Sequence, residues 1–362
     1  KTMYRISKMD TPFEEHLNVL AENQSLKDII GQHFFRKTPV FFALSYFALY
    51  NDYLYPKGGV GEFIQKLVKA IEERGGEIRY QTEITGVHAH LKILKDSNGN
   101  EYRYNKLIWA GDMKNLYTIT NTKGLNKRHI ANFANKKLAV LSHKGAESVF
   151  SVFLATDLEP DYFGEKASGH FFYTPDRKGI AEIHTKELQG MLLRWETIEK
   201  EELFAWLERF CLYNTFEISI PVLRDSDAAP QGKTGIIISV LFDYELTCRI
   251  REKGWYDEFK KRFEEQIIMT ISSKIYSGMK DNLLFCFSTT PLSIQEKVNS
   301  SEGSIVGWSF EGKIPVVTNM FKMGTSVKTE LPDVYAAGKW VYSPAGGPTA
   351  IMTARIAAKK CK

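Results

Sequence analysis

The sequence DVYAAGKW at residues 333–340, followed by GGPTAIMTARIAA at residues 346–358, predicts the fold more directly than any other stretch. The first block predicts a short apolar strand that ends at Gly338. The second predicts a helix that two glycines and a proline open. Proline suits the first helical position because that N–H has no intrahelical partner. A flat ligand can approach the first amides because Gly346 and Gly347 have no side chains, and the helix dipole there favours negative charge. The strand and the helix start together therefore predict a ligand contact, although a helix cap without any ligand gives the same sequence pattern.

A second block, YPKGGVG at residues 55–61, precedes an amphipathic helix predicted from Val60 to Arg74. Gly75 and Gly76 end this helix as a C-cap, and the sequence EIRY at residues 77–80 is predicted to form a strand. Taken together and in this order, the two blocks resemble motifs of the phytoene desaturase and retinol saturase group of FAD-dependent oxidoreductases, which belongs to the amine oxidase superfamily.

The resemblance implies an α/β fold of mixed α+β character with two interleaved domains. Residues 56–112 and 303–362 would form portions of an incomplete Rossmann-like FAD-binding domain. Residues 1–55 and 113–302 would form a substrate-binding domain, a mixed sheet backed by helices. Strand-like and helical stretches of the predicted kinds alternate throughout the second region, and no internal repeat of 20–50 residues is evident.

The resemblance also implies FAD as the cofactor and supplies candidate contacts for it. Ile84, in the strand after Thr82 and Glu83, would place its backbone against the adenine. The full set of candidate cofactor residues is Gly58, Gly59, Ile84, Gly338, Trp340, Gly346, Gly347, Pro348, Thr349 and Ala350. No residue claims a general acid or base role, and the catalytic residues stay unassigned, because the flavin itself carries the redox chemistry of such enzymes.

One part of the family pattern is not found in this sequence. The family begins with a strand, a Gly-x-Gly-x-x-Gly turn and a helix that hold the FAD pyrophosphate. The nearest candidate, residues 59–64, has Ile64 at the third glycine position and follows a turn rather than a buried strand. The chain is therefore interpreted as a fragment without its first βαβ unit, expected to bind FAD weakly or not at all and to be inactive alone.

Composition limits the classes of function. The chain has 362 residues, 43% of them hydrophobic and 25% charged, as in an ordinary globular protein with a sizeable core. Its net charge of +5 is spread thinly, which argues against nucleic-acid binding. The four cysteines are far apart and suggest neither a metal site nor a disulfide framework. A reducing, cytoplasmic location fits this composition best.

An uncharged, aromatic stretch runs from Thr38 to Asn51. It is too short to span a bilayer, which needs about 20 residues. One interpretation is a buried core helix. The other, which the resemblance favours, is the wall of a cavity for a long apolar substrate, with peripheral contact to a membrane surface. The candidate cavity residues are Phe41, Phe42, Tyr46 and Phe47.

Three further patterns carry weaker predictions. His88 and His90 share one face of a strand, but no third ligand is near in sequence, so we expect an exposed strand face and no metal site. Asp225 and Asp227 lie between two prolines, and a role in the turn is favoured over a catalytic carboxylate pair. No Gly-x-Ser-x-Gly elbow is present, which argues against a hydrolase.

The sequence thus predicts an FAD-dependent oxidoreductase that desaturates, saturates or isomerises a hydrophobic polyene or isoprenoid by hydride transfer to or from the flavin. Two alternatives stay open. The first is a flavin amine-oxidase-like enzyme, which would need an aromatic cage for an amine. The second is a non-catalytic module that binds an apolar ligand or a membrane surface.

Overall fold

The computed structural model describes residues 9–50, 54–180 and 182–362. The chain divides into two compact units. Unit 1 comprises Lys1–Gly75 with Glu147–Ile294, and unit 2 comprises Gly76–Ala146 with Gln295–Lys362. Residues 60–72 belong to unit 1 and residues 113–142 to unit 2. The functional labels given to the predicted domains stay predictions.

Helices and strands are numbered here in chain order. The α-helices are α1 (Phe13–Leu20), α2 (Gln24–Gly31), α3 (Val40–Tyr50), α4 (Val60–Glu72), α5 (Met113–Ile119), α6 (Lys127–Ser142), α7 (Pro160–Gly164), α8 (Leu188–Leu193), α9 (Lys200–Tyr213), α10 (Tyr244–Glu252), α11 (Tyr256–Lys274), α12 (Pro291–Val298), α13 (Met323–Ser326) and α14 (Gly347–Lys360). A π-helix (Glu182–Glu187) precedes α8. The strands are β1 (Ile84–His88), β2 (Ile93–Asp96), β3 (Glu101–Arg103), β4 (Leu107–Trp109), β5 (Thr120–Asn121), β6 (Ser148–Thr156), β7 (His170–Tyr173), β8 (Phe216–Ser219), β9 (Thr234–Phe242), β10 (Leu283–Thr289) and β11 (Val334–Ala336).

The centre of unit 1 is a five-stranded sheet in the order β10-β6-β9-β8-β7. Every neighbouring pair is antiparallel, with β6 and β9 paired along nine residues each. The expectation of a mixed sheet is wrong on this point. Alternation of apolar residues predicts which face each side chain occupies, but it does not predict the direction of a neighbouring strand.

One face of this sheet is buried under helices. Strand β9 alternates strictly, with Ile236, Ile238 and Val240 buried and the residues between them half-buried. Aromatic side chains of α9 and α11 pack on that face, and the rings of Phe150 and Phe263 stack with their centroids 4.0 Å apart. This buried face is the main hydrophobic core of unit 1.

A smaller core ties the first helices of unit 1 together. Phe13 and Leu17 of α1 pack with Val40 and Ala43 of α3. The amide of Phe13 donates to the carbonyl of Thr38 at 2.7 Å, which fixes the start of α1 beside the start of α3. Helix α4 differs, because it buries none of its side chains and the residues of its apolar stripe are exposed.

Unit 2 contains two small sheets. The first has the order β3-β2-β1-β5 and includes the β2–β3 hairpin, which turns at Asn98 and Gly99. The second pairs β4 with β11 in parallel, so that Val334 lies opposite Leu107 and Ala336 opposite Trp109. Buried side chains of α5, α6 and the segment after β11 form its core.

Two local predictions need correction. Residues 77–80 form no strand, since no described residue pairs with them along a ladder; Glu77 and Arg79 instead bond to each other at 2.7 Å. Helix α14 begins at Gly347 with Gly346 as its N-cap, so that Pro348 is the second helical residue rather than the first. The second position also lacks an intrahelical acceptor, so proline is tolerated there for the same reason.

Candidate functional site

The start of α14 in unit 2 is the best candidate for a cofactor contact. Gly347 and Pro348 are exposed, and a side-chain Cβ placed on Gly347 would meet no atom within 4 Å. The Thr349 hydroxyl accepts from the Gly346 amide at 2.8 Å and fixes the turn. The Gly347 and Thr349 amides are among the first N–H groups of a helix, which have no intrahelical acceptor.

This arrangement fits the electron-rich edge of a flat cofactor such as FAD. The Gly347 and Thr349 amides lie in the first turn of a 14-residue helix, at the positive end of its dipole, and the space beside Gly347 is open. One predicted contact is excluded by this geometry. The Ala350 amide donates to the Gly346 carbonyl at 3.0 Å as the first helical hydrogen bond, so it is not available to a ligand.

Gly338 and Trp340 lie just after β11 and have internal contacts. Gly338 has a φ of 98°, a left-handed conformation that favours glycine, and a Cβ there would lie 3.3 Å from the Ala110 carbonyl oxygen. Trp340 is buried, with its ring at right angles to that of Trp308 and the centroids 4.8 Å apart. Both residues therefore support the strand-to-helix connection, and their predicted cofactor contacts stay predictions.

Lys339, between them, also contributes to this connection. Its Nζ donates to the Ser304 carbonyl at 2.6 Å and to the Ser300 hydroxyl at 3.0 Å. Burial lowers the pKa of the Lys339 ammonium below its usual value, and the negative charge of Asp112 opposes that shift. These contacts give Lys339 a structural role, in line with its having no assigned catalytic task.

The glycine turn before α4 belongs to unit 1, whereas Ile84, the first residue of β1, belongs to unit 2. The Gly58 amide donates to Oδ2 of Asp225 at 2.6 Å, and the other oxygen of that buried carboxylate accepts from the Asp227 amide. Because a carboxylate occupies the Gly58 amide, this glycine does not fit a phosphate contact. The contacts confirm a turn role for Asp225, and Gly59, with its φ of 84°, lies in the same turn.

The four predicted cavity residues lie on α3 and do not line the cavity found in unit 1. That cavity, of about 470 Å³, is lined by residues that include Phe13, Phe35, His184 and Asp243. Phe41 and Phe42 are half-buried on α3. Tyr46 and Phe47 belong instead to an aromatic cluster with His33, Phe34 and Phe172.

His33 is at the centre of this aromatic cluster. Its imidazole lies 4.2 Å from the ring of Phe34 and 4.4 Å from the ring of Phe172 on β7, measured between centroids. Both ring nitrogens are buried, and neither has a hydrogen-bond partner among the described residues. Burial lowers the pKa of His33 to about 4, and the nearby Glu217 carboxylate opposes this shift. At neutral pH the ring is therefore uncharged.

The aromatic cluster meets the second face of the five-stranded sheet, which we call the open face. Phe172 occupies this face on β7, while Phe285 and Phe287 of β10 occupy it at the opposite edge and are more than half exposed. Phe153 and Ile237 lie between them, and the rings of Phe153 and Phe287 stack at 4.9 Å. Five strands spaced about 4.8 Å apart make this face about 19 Å wide.

Polar side chains lie at the β7 end of the open face. His170 Nε2 and Glu217 Oε1 are 2.9 Å apart on the neighbouring strands β7 and β8, and the His170 ring lies 6.2 Å from that of Phe172. One row of residues across β10, β6 and β9 is apolar, with Phe287, Phe153 and Ile237, whereas the next row on the same strands is polar, with Thr289, Ser151 and Ser239. Sequence reasoning missed this surface, although the alternation of Phe153, Phe285 and Phe287 with core residues was a usable signal.

Within the described ranges, no group of three or more His, Cys, Asp or Glu side chains is placed to hold a metal ion. No helix in the same parts of the chain combines the length and the apolar character that a membrane span requires.

Comparison of sequences identifies distant relatives. The chain is 22% identical over 346 residues to all-trans-retinol 13,14-reductase of Danio rerio and 23% identical over 339 residues to phytoene desaturase of Fusarium fujikuroi. These matches cover 89% and 88% of the chain and 53% of each relative, so the chain spans about half the length of these proteins. Prolycopene isomerase of Daucus carota matches 67% of the chain at 23% identity.

Comparison of structures identifies the same fold in amine oxidases. A triple mutant of putrescine oxidase matches with a TM-score of 0.58 and 10% identity, over 98% of this chain and 67% of that protein. Cyclohexylamine oxidase of Brevibacterium oxydans matches with a TM-score of 0.54 and 10% identity, over 98% and 69% of the two chains. No protein-family model matches the chain.

Proposed function

We propose that this chain, which belongs to the phytoene desaturase and retinol saturase group of FAD-dependent oxidoreductases, serves hydride transfer between FAD and a hydrophobic polyene or isoprenoid. The observation that carries the proposal is the start of α14. An exposed glycine with open space above it and two uncommitted amides form the kind of site that holds an electron-rich ligand edge.

On the cofactor side, we assign the contact to the backbone of Gly346, Gly347 and Thr349. FAD supplies the redox chemistry when bound, as a hydride acceptor or donor. The two amides and the helix dipole favour negative charge that develops beside them. The Thr349 hydroxyl keeps the turn in place through its bonds to the Gly346 amide and carbonyl, at 2.8 and 2.9 Å.

On the substrate side, we assign binding to the open face of the sheet. Phe285 and Phe287 expose large apolar surfaces on a described edge strand, and contiguous exposed apolar surface of this kind marks binding sites. Phe153 and Ile237 continue the surface across β6 and β9, and the same row ends in Ser219 and His170 on β8 and β7. An elongated apolar chain laid across it would exclude water from the reacting carbons, which suits hydride chemistry.

The cofactor contact can be tested with two glycine variants. Gly347→Val adds a branched side chain where the ligand would lie, whereas Gly324→Val adds the same side chain at an exposed helical glycine that also has open space around it. Fluorescence polarisation of FAD, titrated with the 362-residue chain, measures affinity. We expect Gly347→Val to weaken binding by about tenfold or more, since such overpacking costs about 1–3 kcal/mol.

Gly324→Val should bind FAD as the wild-type chain does, and both variants should unfold at the same urea concentration because exposed substitutions change stability little. Equal FAD affinity for wild type and Gly347→Val would refute the assignment of the helix start. An FAD affinity too low to measure in wild type is what the interpretation of the chain as a fragment expects, so it would not by itself favour a non-catalytic apolar-ligand module.

A further inference from the structure

We propose that the cavity in unit 1 binds a small organic cation, a quaternary or tertiary ammonium that carries an apolar group. The cavity volume of about 470 Å³ lies within the range of small-molecule sites, about 300–1,000 Å³. The described residues that line it do not include those assigned above to FAD or to the hydrophobic substrate. The proposal assigns binding to the cavity and no reaction, so it goes beyond the proposed function and does not depend on it.

Phenylalanine side chains contribute much of the cavity wall. Helix α1 and the connection between α2 and α3 supply one part of this wall, and the end of β9 and helix α9 supply the other. The rings are those of Phe13, Phe34, Phe35, Phe210 and Phe242. The face of an aromatic ring carries negative partial charge and attracts a cation, most strongly where water is excluded. The wall therefore suits a ligand that is both apolar and positively charged.

The charged side chains at the cavity include an Arg36 group with excess negative charge. The Arg36 guanidinium lies between two carboxylates, 3.1 Å from Glu147 and 3.2 Å from Asp243. All three side chains line the cavity. Two negative charges thus surround one positive charge, and the remaining negative charge favours a further cation in the same cavity.

A second group on the cavity lining has the same composition. The Lys37 ammonium lies 2.8 Å from Glu14 and 3.3 Å from Glu15. Lys27 and Asp28 complete the charged lining and cancel each other. The lining therefore carries five carboxylates against three cations, in a chain whose net charge is +5. Because the excess is opposite in sign to that of the whole chain, the cavity is selective for a cationic ligand rather than an anionic one.

The hydrogen bonds of the Arg36 group favour an ammonium without N–H donors. Oδ1 of Asp243 accepts from the Leu246 amide at 2.8 Å, while Oδ2 pairs with Arg36. Oε1 of Glu147 accepts from the Arg36 amide at 2.9 Å. A primary ammonium has three N–H donors to satisfy. A quaternary ammonium has none, so it gains from the negative charge and the ring faces without needing those oxygens.

His184 lines the cavity without adding positive charge. Burial, and secondly the charge of Arg36, lower the pKa of its imidazole to about 4, against the opposing effect of Asp243. Its Nδ1 is buried with no hydrogen-bond partner among the described residues. The ring lies beside that of Phe210, with the centroids 6.0 Å apart. At neutral pH the imidazole therefore extends the aromatic wall and does not repel a cation.

Two probes of the same shape test the proposal. Benzyltrimethylammonium and its uncharged analogue neopentylbenzene are each titrated into the 362-residue chain, and ligand-observed NMR gives the Kd. The double variant Glu147→Gln/Asp243→Asn removes two negative charges, and its amides keep acceptor oxygens for the Arg36 amide and for the start of α10. Glu165→Gln is the control, because Glu165 is exposed at the end of α7 and does not line the cavity.

We expect the double variant to weaken binding of the cation by about tenfold and to change the Kd of neopentylbenzene by less than about twofold. Arg36→Gln removes a positive charge instead, so it should strengthen binding of the cation by roughly threefold. A damaged cavity does not gain affinity, and this variant decides the matter if the double variant does not fold. Glu165→Gln should leave both Kd values unchanged.

Three results would overturn the proposal. The first is the absence of saturable benzyltrimethylammonium binding to the wild-type chain. The second is an equal loss of both probes in the double variant, which would mean that the cavity binds apolar molecules regardless of charge. The third is tighter binding of benzylammonium than of its trimethyl form, which would show that N–H donors are required. The start of α14 and the open face take no part in these measurements, so the proposed function stands or fails separately.

Discussion

The two faces of the five-stranded sheet in unit 1 differ in what their apolar residues do. On the buried face, Phe150, Ile238 and Val240 are covered by helices and make the core. On the open face, Phe285 and Phe287 are equally apolar yet more than half exposed. A sheet needs only one covered face for stability, so apolar residues on the other face are better explained by ligand binding than by folding.

Two buried histidines also differ in which face of the sheet they adjoin. His184 lies beside Phe210 of the core, with ring centroids 6.0 Å apart, and lines the cavity. His33 stacks on Phe172 at the end of the open face. Burial lowers the pKa of each to about 4. Similar electrostatics therefore occur at two places, and only the second place adjoins an exposed apolar surface.

The largest expected effect comes from the buried face. Phe150→Ala removes a ring with no solvent exposure that stacks on Phe263 at 4.0 Å, so it leaves a cavity that rigid strands and helices fill poorly. We expect the free energy of unfolding to fall by about 3–5 kcal/mol, measured by urea denaturation of the chain. A loss below about 1 kcal/mol would mean that this face is not the packed core.

The second effect, of intermediate size, is on acid stability. Each buried histidine has a pKa of about 4 in the folded chain against an ordinary value of 6.5. Between these values the unfolded chain binds more protons, so stability falls as the pH drops from about 6.5 to 4. We expect each histidine to account for about 2–3 kcal/mol of the loss between pH 7 and pH 4.5.

Urea denaturation at these two pH values checks this expectation. His33→Phe and His184→Phe should each reduce the acid loss. The double variant should reduce it by the sum, because the described ring contacts of the two histidines involve different residues and independent sites add. Carboxylates that titrate in the same range contribute equally to wild type and variants and cancel. A variant that keeps the full acid loss would show that its histidine is not buried in the neutral form.

Much of this architecture could be predicted from local sequence. Strand-like stretches predicted a sheet backed by helices, and the glycine–proline block predicted the start of α14 to within one residue. These features succeed because they depend on neighbours in the chain.

The features that the sequence did not predict depend on contacts between segments that are distant in the chain. The Asp225 carboxylate accepts a hydrogen bond from the Gly58 amide, which lies 167 positions away in the sequence. No local sequence pattern indicates this contact. Residues 77–80 have strand composition but lack a paired neighbour, so composition alone misassigned them. His33 gave no signal in the sequence, because its significance comes from Phe172 and Glu217, which belong to strands far along the chain.

The smallest effect on stability, and the sharpest test of the comparison, comes from the open face. Phe287→Ala removes a ring that is 53% exposed and stacks on Phe153, so we expect a loss of about 1 kcal/mol or less in the free energy of unfolding. The same change should weaken retinol binding by roughly three- to tenfold, since the ligand loses apolar contact area.

Leu193→Ala is the matched control for this variant. Leu193 is 90% exposed at the end of α8, a helix whose buried residues pack on the other face of the sheet. Its truncation should change neither stability nor retinol affinity. If Phe287→Ala behaved like Leu193→Ala, the exposed rings of β10 would be surface residues without a function. If it behaved like Phe150→Ala, the open face would be part of the core, and the distinction between the two faces would not hold.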